Sequence, residues 1–270
     1  MSQQLRRSVR PVVQMGKQLV LNPTIRSTTG LTPISEHLDE DIFIVGYPKS
    51  GNTWFQNLVS GTVYGMNPLY APDTLIQELV PDIHQKRFYK RFWTPMFFKS
   101  HLVPQPDYRR VIYLLRDGRD AMVSYYHFLT AIQGHEPDFE NMVRSGEGLY
   151  CKWHTHVDAW LANPYAADML VIKYEDLKVD PVHELQRFCA FANVDRDISW
   201  LAQVAEATAF EKMQKKEKTG NYHRDNKQWP EDKLFNRRGI VGSYKDEMPP
   251  EVLAIFLEDA QETLQRCGYQ

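Results

Sequence analysis

The stretch Ile42 to Gly61, IFIVGYPKSGNTWFQNLVSG, constrains this chain more than any other. An apolar run of strand length opens onto Gly46, a proline turn, and then Lys49, Ser50 and Gly51. Beyond them Trp54, Leu58 and Gly61 or Thr62 recur with helical spacing. A strand that feeds a loop opening a helix aims backbone N–H groups and the positive end of the helix dipole at one point, which suits a phosphate-like anion. In the usual nucleoside-triphosphate loop, however, the lysine follows the last glycine. Which anion would want the lysine earlier depends on what the other strands deliver.

Apolar runs of strand length occur at Ile42–Val45, Met96–Phe98, Val111–Leu115 and Met169–Ile172, with enough chain between them for crossovers. The pattern predicts an α/β fold with a central, mostly parallel sheet flanked by helices on both faces. Helices are expected over Arg119–Ile132, Gly148–Asn163, Pro181–Ala192 and Glu251–Gly268. In such sheets ligands bind beyond the carboxyl ends of the strands. The residues there are Tyr47 to Thr53, then Lys99, Ser100 and His101, then Arg116 to Asp120, then Lys173 to Asp176. Every strand supplies a cation and the second adds a histidine.

A length of 270 residues suits one large domain, and a net charge of -2 excludes general nucleic-acid binding, so anion affinity must come from local clusters. The segment Glu211 to Arg238 carries nine Lys and Arg against five Asp and Glu with little apolar periodicity. It reads as a basic lid loop over an anionic ligand, or as a solvated basic loop. Cys151, Cys189 and Cys267 lie far apart without CxxC spacing, as expected of reduced thiols in a cytoplasmic protein. No apolar run approaches the ~20 residues of a membrane span. Residues 1–38 lack a signal-peptide pattern and read as an N-terminal extension, packed on or preceding a single domain over 39–270; a weak interfacial helix is the alternative. His154 and His156 point to different helix faces, and Cys151 with His154 gives only two ligands, so no metal site is expected.

Taken together, the chain resembles the cytosolic-type sulfotransferase family. The resemblance rests on YPKSGNTW, KSHL, LLRDGRDAMVSYYHF, KYEDL, TAFEKM and FNRRGIVGSYK, which occur in the family's order between about Asp39 and Tyr244. It implies a P-loop-like three-layer fold. It also implies transfer of a sulfuryl group from 3'-phosphoadenylyl sulfate (PAPS) to a hydroxyl or amine of a small-molecule acceptor, leaving adenosine 3',5'-bisphosphate (PAP), without a metal or a membrane-integrated segment. By the same resemblance Lys49, Ser50, Gly51, Asn52, Thr53 and Trp54 hold the 5'-phosphosulfate, with Trp54 against adenine. Arg116, Ser124, Arg237, Arg238 and Gly239 grip the 3'-phosphate, while Tyr174, Thr208, Phe210 and Met213 contact the adenine side. His101 is the general base, and Lys49 and Lys99 stabilise charge. Tyr89, Phe92 and Trp93 are candidates for an apolar acceptor pocket.

Elementary chemistry agrees with these roles. An attacking hydroxyl must lose its proton, and imidazole, with a pKa of about 6.5, suits that task near neutral pH. Strand alternation lets Lys99 and His101 face the same side. A sulfuryl group carries less charge than a phosphoryl group, and no carboxylate stands where a triphosphate loop recruits magnesium. The chain departs from the family pattern at Ser243 and Tyr244, where an aspartate–tryptophan pair is usual, and at Ala209, where a serine often contacts the 3'-phosphate. Pro249 and Pro250 interrupt the usual dimer motif, which leaves the oligomeric state open. Two alternatives stay open as well: a small-molecule or nucleotide kinase with an atypical phosphate loop, and a PAP-binding protein that has lost catalysis.

Overall fold

The apolar runs become the strands of one parallel sheet, and two shorter strands form an antiparallel ribbon beside it. In chain order the strands are β1 (Leu31–Pro33), β2 (Ile42–Gly46), β3 (Phe88–Lys90), β4 (Phe97–Ser100), β5 (Arg110–Leu115) and β6 (Asp168–Lys173). The computed structural model describes residues 29–146, 150–218, 229–230 and 232–270. The helix considered for the first residues of the chain lies outside them. Sheet order is β4-β2-β5-β6, all parallel, and β1 pairs with β3.

Both faces of the sheet are covered, which is why β2 is an unbroken apolar run buried along its whole length. Alternate residues feed two cores. Phe43 and Val45 join one with Phe98, Tyr113 and Leu115, while Ile42 and Ile44 join the other with Phe97, Ile112 and Ile172. The first core is closed by α3 (Gly118–Gln133), α4 (Phe139–Ser145), α5 (Trp153–Ala162) and α11 (Pro250–Arg266). The second is closed by α1 (Asn52–Tyr64), α2 (Asp73–Leu79), α6 (Tyr174–Val179), α7 (Pro181–Ala192) and α8 (Ile198–Ala207). The remaining helices among the described residues, α9 (Phe210–Lys218) and α10 (Tyr244–Glu247), lie near the carboxyl ends of the strands. No helix among the described residues is long and apolar enough to cross a membrane.

Register brings the strand ends level. Val45 stands opposite Ser100 and Tyr113, and Gly46 opposite Leu114, so the loops after β2, β4, β5 and β6 emerge along one edge. Asp41 fixes the other end of β2. Its buried carboxylate accepts from Arg91 at 2.8 and 2.7 Å and from the backbone N–H groups of Leu38 and Met96.

Three features differ from the sequence reading. The helix expected from Gly148 begins at Trp153, with Lys152 extended, because the buried Trp153 indole docks on the Arg116 carbonyl and sets the helix start. Helix α8 was not anticipated, although Asp197 precedes it and Leu201, Val204 and Ala205 mark its buried face. Within the basic stretch, α9 is regular where an irregular loop was expected. Its inward residues are Met213 and Lys216, and the Lys216 ammonium donates to the carbonyl of Pro68 at 2.6 Å, so half of its inner face is a lysine that hydropathy cannot register. Residues 219–228 and 231 of the proposed lid lie outside the described residues.

Candidate active site

The loop after β2 is shaped by two residues in the left-handed region, Lys49 at φ 72° and Gly51 at φ 93°. A Cβ on Gly51 would lie 2.9 Å from the Tyr174 ring, so both the backbone angle and the close approach require glycine. Helix α1 begins here with no capping side chain and no acidic residue in its first turn. Its leading N–H groups are therefore not answered by the usual side-chain acceptor. The Lys49 ammonium lies over the rings of Phe128 at 4.6 Å and Phe235 at 4.1 Å. The Lys49 carbonyl accepts from Arg116 Nη1 at 2.8 Å, and that guanidinium stacks on Tyr174 at 4.3 Å. Ser50 Oγ and Arg116 Nε are buried without a protein partner, two donors left available beside the start of α1.

At the end of β4 the His101 ring is tied back to the sheet, with Nδ1 2.7 Å from the Gly46 carbonyl. A carbonyl only accepts, so Nδ1 carries the hydrogen and Nε2 keeps its lone pair. Burial, reinforced by the Lys99 ammonium, pushes the imidazole down to about 3, so it is neutral at physiological pH. The backbone N–H of His101 donates to His84 Nε2 at 2.9 Å, and the two imidazoles stack with centroids 5.5 Å apart. Lys99 lies within β4 rather than after it, and its ammonium is ion-paired with the buried Asp82 carboxylate at 2.9 Å. It is thus a fixed, ion-paired charge instead of a free cation. Helix α5 holds this corner from behind: His156 Nε2 donates to the His101 carbonyl at 3.2 Å, Trp160 Nε1 to Leu102 at 3.0 Å, and Trp153 Nε1 to Arg116 at 3.2 Å. His156, set aside on the sequence as a metal ligand, is completed by Tyr113 Oη at 3.0 Å from its Nδ1.

A further part of the cleft wall is built by the chain that returns from the basic stretch. Gly239, at φ 61°, approaches Phe210 so closely that a Cβ would meet the ring at 2.4 Å. Arg237 and Arg238 both pair with Glu247, which also contacts His127. Below them the buried Asp120 carboxylate accepts from the N–H of Gly242 at 2.7 Å, from Ser243 Oγ at 3.2 Å and from the N–H of Tyr244 at 2.9 Å. Asp120→Ala would leave these donors unanswered. It should lower stability by about 2–3 kcal/mol and the melting midpoint by about 5–10 °C; a midpoint unchanged in calorimetry would show that the anchor is dispensable.

On the side toward β6, Trp54 Nε1 donates to the Thr208 carbonyl at 3.0 Å, and its ring meets Tyr174 edge-on at 5.7 Å. The Lys178 ammonium lies 6.0 Å from the Trp54 ring and 5.5 Å from that of Phe210. One cleft of about 390 Å³ joins all these parts. Its walls include Lys49, Gly51, Asn52, Thr53, Trp54, Lys99, His101, Arg116, Ser124, Tyr174, Thr208, Phe210, Met213, Arg237, Arg238 and Gly239. Ser50 is buried just behind the wall.

Other expectations fail. Lys173, the cation of the fourth strand, turns away to donate to the Cys267 carbonyl at 2.6 Å, because the next residue, Tyr174, takes the inward position. Tyr89 is core, bonded to the Glu36 carbonyl and edge-on to Phe98; Phe92 and Trp93 are exposed, and none of the three borders the cleft. The aromatic wall comes instead from Tyr125, Phe128 and Tyr150, and the polar one from Asp82 and His84. The strand-end rule finds none of these five, since three belong to α3 and the segment before α5 and two precede β4 by more than ten residues.

A parallel sheet thus presents, around one cleft, a glycine-turned loop opening a helix, a neutral imidazole at the neighbouring strand end and three guanidinium groups. The sulfotransferase domain family model matches residues 39–268, and the chain belongs to that family. Among its relatives, Sulfotransferase 1B1 of Mus musculus is 28% identical over 228 residues, covering 76% of this chain and 76% of the relative. Sulfotransferase 1C2 of Homo sapiens is 29% identical over 230 residues, covering 77% of each. Two solved structures share the fold. Mouse sulfotransferase SULT7A1 complexed with PAP has a TM-score of 0.64 at 22% identity, covering 86% of this chain and 88% of that one. Retinol dehydratase in complex with androsterone and inactive cofactor PAP has a TM-score of 0.66 at 19% identity, covering 85% and 82%.

Proposed function

We propose that this protein transfers a sulfuryl group from PAPS to a hydroxyl or amine of a small-molecule acceptor, with His101 as general base. The observation that carries the reading is that two cation-bearing elements line one cleft. The loop at Lys49 to Thr53 and the cluster of Arg116, Ser124, Arg237 and Arg238 share its walls with the Trp54, Tyr174 and Phe210 rings. A nucleotide phosphorylated at both 5' and 3' positions gives each of these elements an anion to hold, whereas a triphosphate gathers its charge at one end. The orphaned Ser50 Oγ supports an anion at the loop, and the orphaned Arg116 Nε supports a second one beside it.

When bound, PAPS supplies the sulfuryl group and a phosphate leaving group. The α1 N-terminus and Lys49 hold the developing negative charge without reorganising. His101 Nε2 accepts the acceptor's proton, and its Nδ1–H bond to Gly46 keeps the lone pair aimed away from the sheet. Lys99, fixed by Asp82, lies beside the base. Tyr125, Phe128 and Tyr150 supply an aromatic wall to the acceptor side, and His84 a polar group. Free thiols at Cys151, Cys189 and Cys267 suit a cytoplasmic setting.

The test is ligand-induced stabilisation. PAP at 100 times its dissociation constant should add ~2.7 kcal/mol and raise the melting midpoint by roughly 5 °C or more without magnesium. A shift given only by ATP with magnesium would replace this reading by a kinase.

A further inference from the structure

We infer that Glu247 is the positioning residue for recognition of the 3'-phosphate, latching Arg237 and Arg238 to α3 so that both guanidinium groups stand at the cleft wall. The inference rests on the donor assignment above. Glu247 Oε2 accepts from Arg237 Nη1 at 2.6 Å, and Oε1 from Arg237 Nη2 at 3.2 Å and from Arg238 Nη1 at 2.5 Å. The same carboxylate meets His127 Nε2 at 2.7 Å. His127 lies one helical turn beyond Ser124 on α3, so a single carboxylate ties the returning chain to the helix that carries Ser124.

The geometry places Glu247 behind the arginines. Both arginines border the cleft and Glu247 does not; its side chain is 14% exposed. The carboxylate occupies the Nη edge of Arg237 and one Nη of Arg238, leaving Nε of the first, and Nε with the other Nη of the second, for a second anion. Two arginines against one carboxylate keep the cluster net positive. The backbone is held on both sides, by Gln214 Nε2 on the carbonyls of Asn236 and Arg237 and by Asp120 on Gly242 to Tyr244, so what the latch orders is the two long arginine side chains. Without it their rotamer freedom would have to be given up when the ligand binds. Removing the negative charge would by itself favour phosphate, but that gain is screened across partly exposed groups. Loss of order therefore outweighs it.

The measurement is calorimetric affinity for PAP and for adenosine 5'-monophosphate, which lacks the 3'-phosphate, in wild type, Glu247→Gln and Glu247→Asp. Glu247→Gln should weaken PAP by about tenfold, the effect of one lost charge-assisted contact. The monophosphate should change by less than about twofold because its 5' end is held at α1, and Glu247→Asp should recover part of the PAP affinity. An equal fall for both nucleotides would overturn the inference by showing a general structural fault. Unchanged or tighter PAP binding would overturn it by showing that Glu247 is idle or competes with the phosphate. A wild-type protein that does not prefer PAP over the monophosphate would instead remove the donor assignment, and the inference with it.

Discussion

His101→Ala should lower sulfuryl transfer by about 10²–10⁴-fold, the usual contribution of a positioned proton acceptor, while PAP affinity stays within about twofold. The two effects separate because the ring bonds the Gly46 carbonyl and its backbone bonds His84, and neither bond belongs to the Lys49 to Thr53 loop. The pH profile gives a second reading of the same group. Burial and Lys99 hold the free imidazole at about 3, so kcat/KM should stay flat from about pH 8 down to about pH 5, where an ordinary histidine would already be protonated. Such a ring is a weak base until the donor arrives. The bound anion favours the imidazolium and raises its pKa, so kcat should begin to fall at a higher pH than kcat/KM. Full activity of His101→Ala would remove the base. An inflection of kcat/KM near 6.5 would show that the ring is solvated in the free protein.

Local pattern carried the sheet and the anion loop, and it failed wherever two distant segments settle the outcome. Ile42–Gly46 and Arg110–Leu115 are legible because strands buried on both faces need apolar residues at every position. Lys99 was placed after its strand because a charged residue interrupts the apolar run. It stays inside β4 because Asp82, seventeen positions earlier, forms an isolated parallel bridge with it and neutralises its ammonium. His156 lies on the expected third helix, yet its ring completes a path from Tyr113 to the His101 carbonyl that no spacing rule contains. Glu247 was unmarked for the same reason: its partners are Arg237, Arg238 and a histidine 120 positions away. The motif matches included Lys49, Lys99, Arg116, Arg237 and Arg238, which border the cleft, but they also held Lys173, which does not, and missed Lys178, which does; the counter-charges are set by the fold.

Arg116→Ala should weaken PAP by about 10²-fold, as expected when a forked, charge-assisted donor to phosphate is lost. Arg116 has two roles that this variant removes together: its Nη1 holds the Lys49 carbonyl, and its buried Nε has no protein partner. The first role shapes the loop and serves any 5'-phosphate, while the second is reserved for the ligand. Adenosine 5'-monophosphate should therefore lose only about threefold to fivefold, from the loop alone. Arg116→Lys keeps the charge but not the planar fork or the stack on Tyr174, and it should recover no more than about tenfold for PAP. Equal losses for the two nucleotides would reduce Arg116 to a scaffold of the loop and leave Arg237 and Arg238 as the 3'-phosphate contacts. A loss confined to PAP would place the 3'-phosphate between Arg116 and the latched arginines, where Ser124 borders the same cleft.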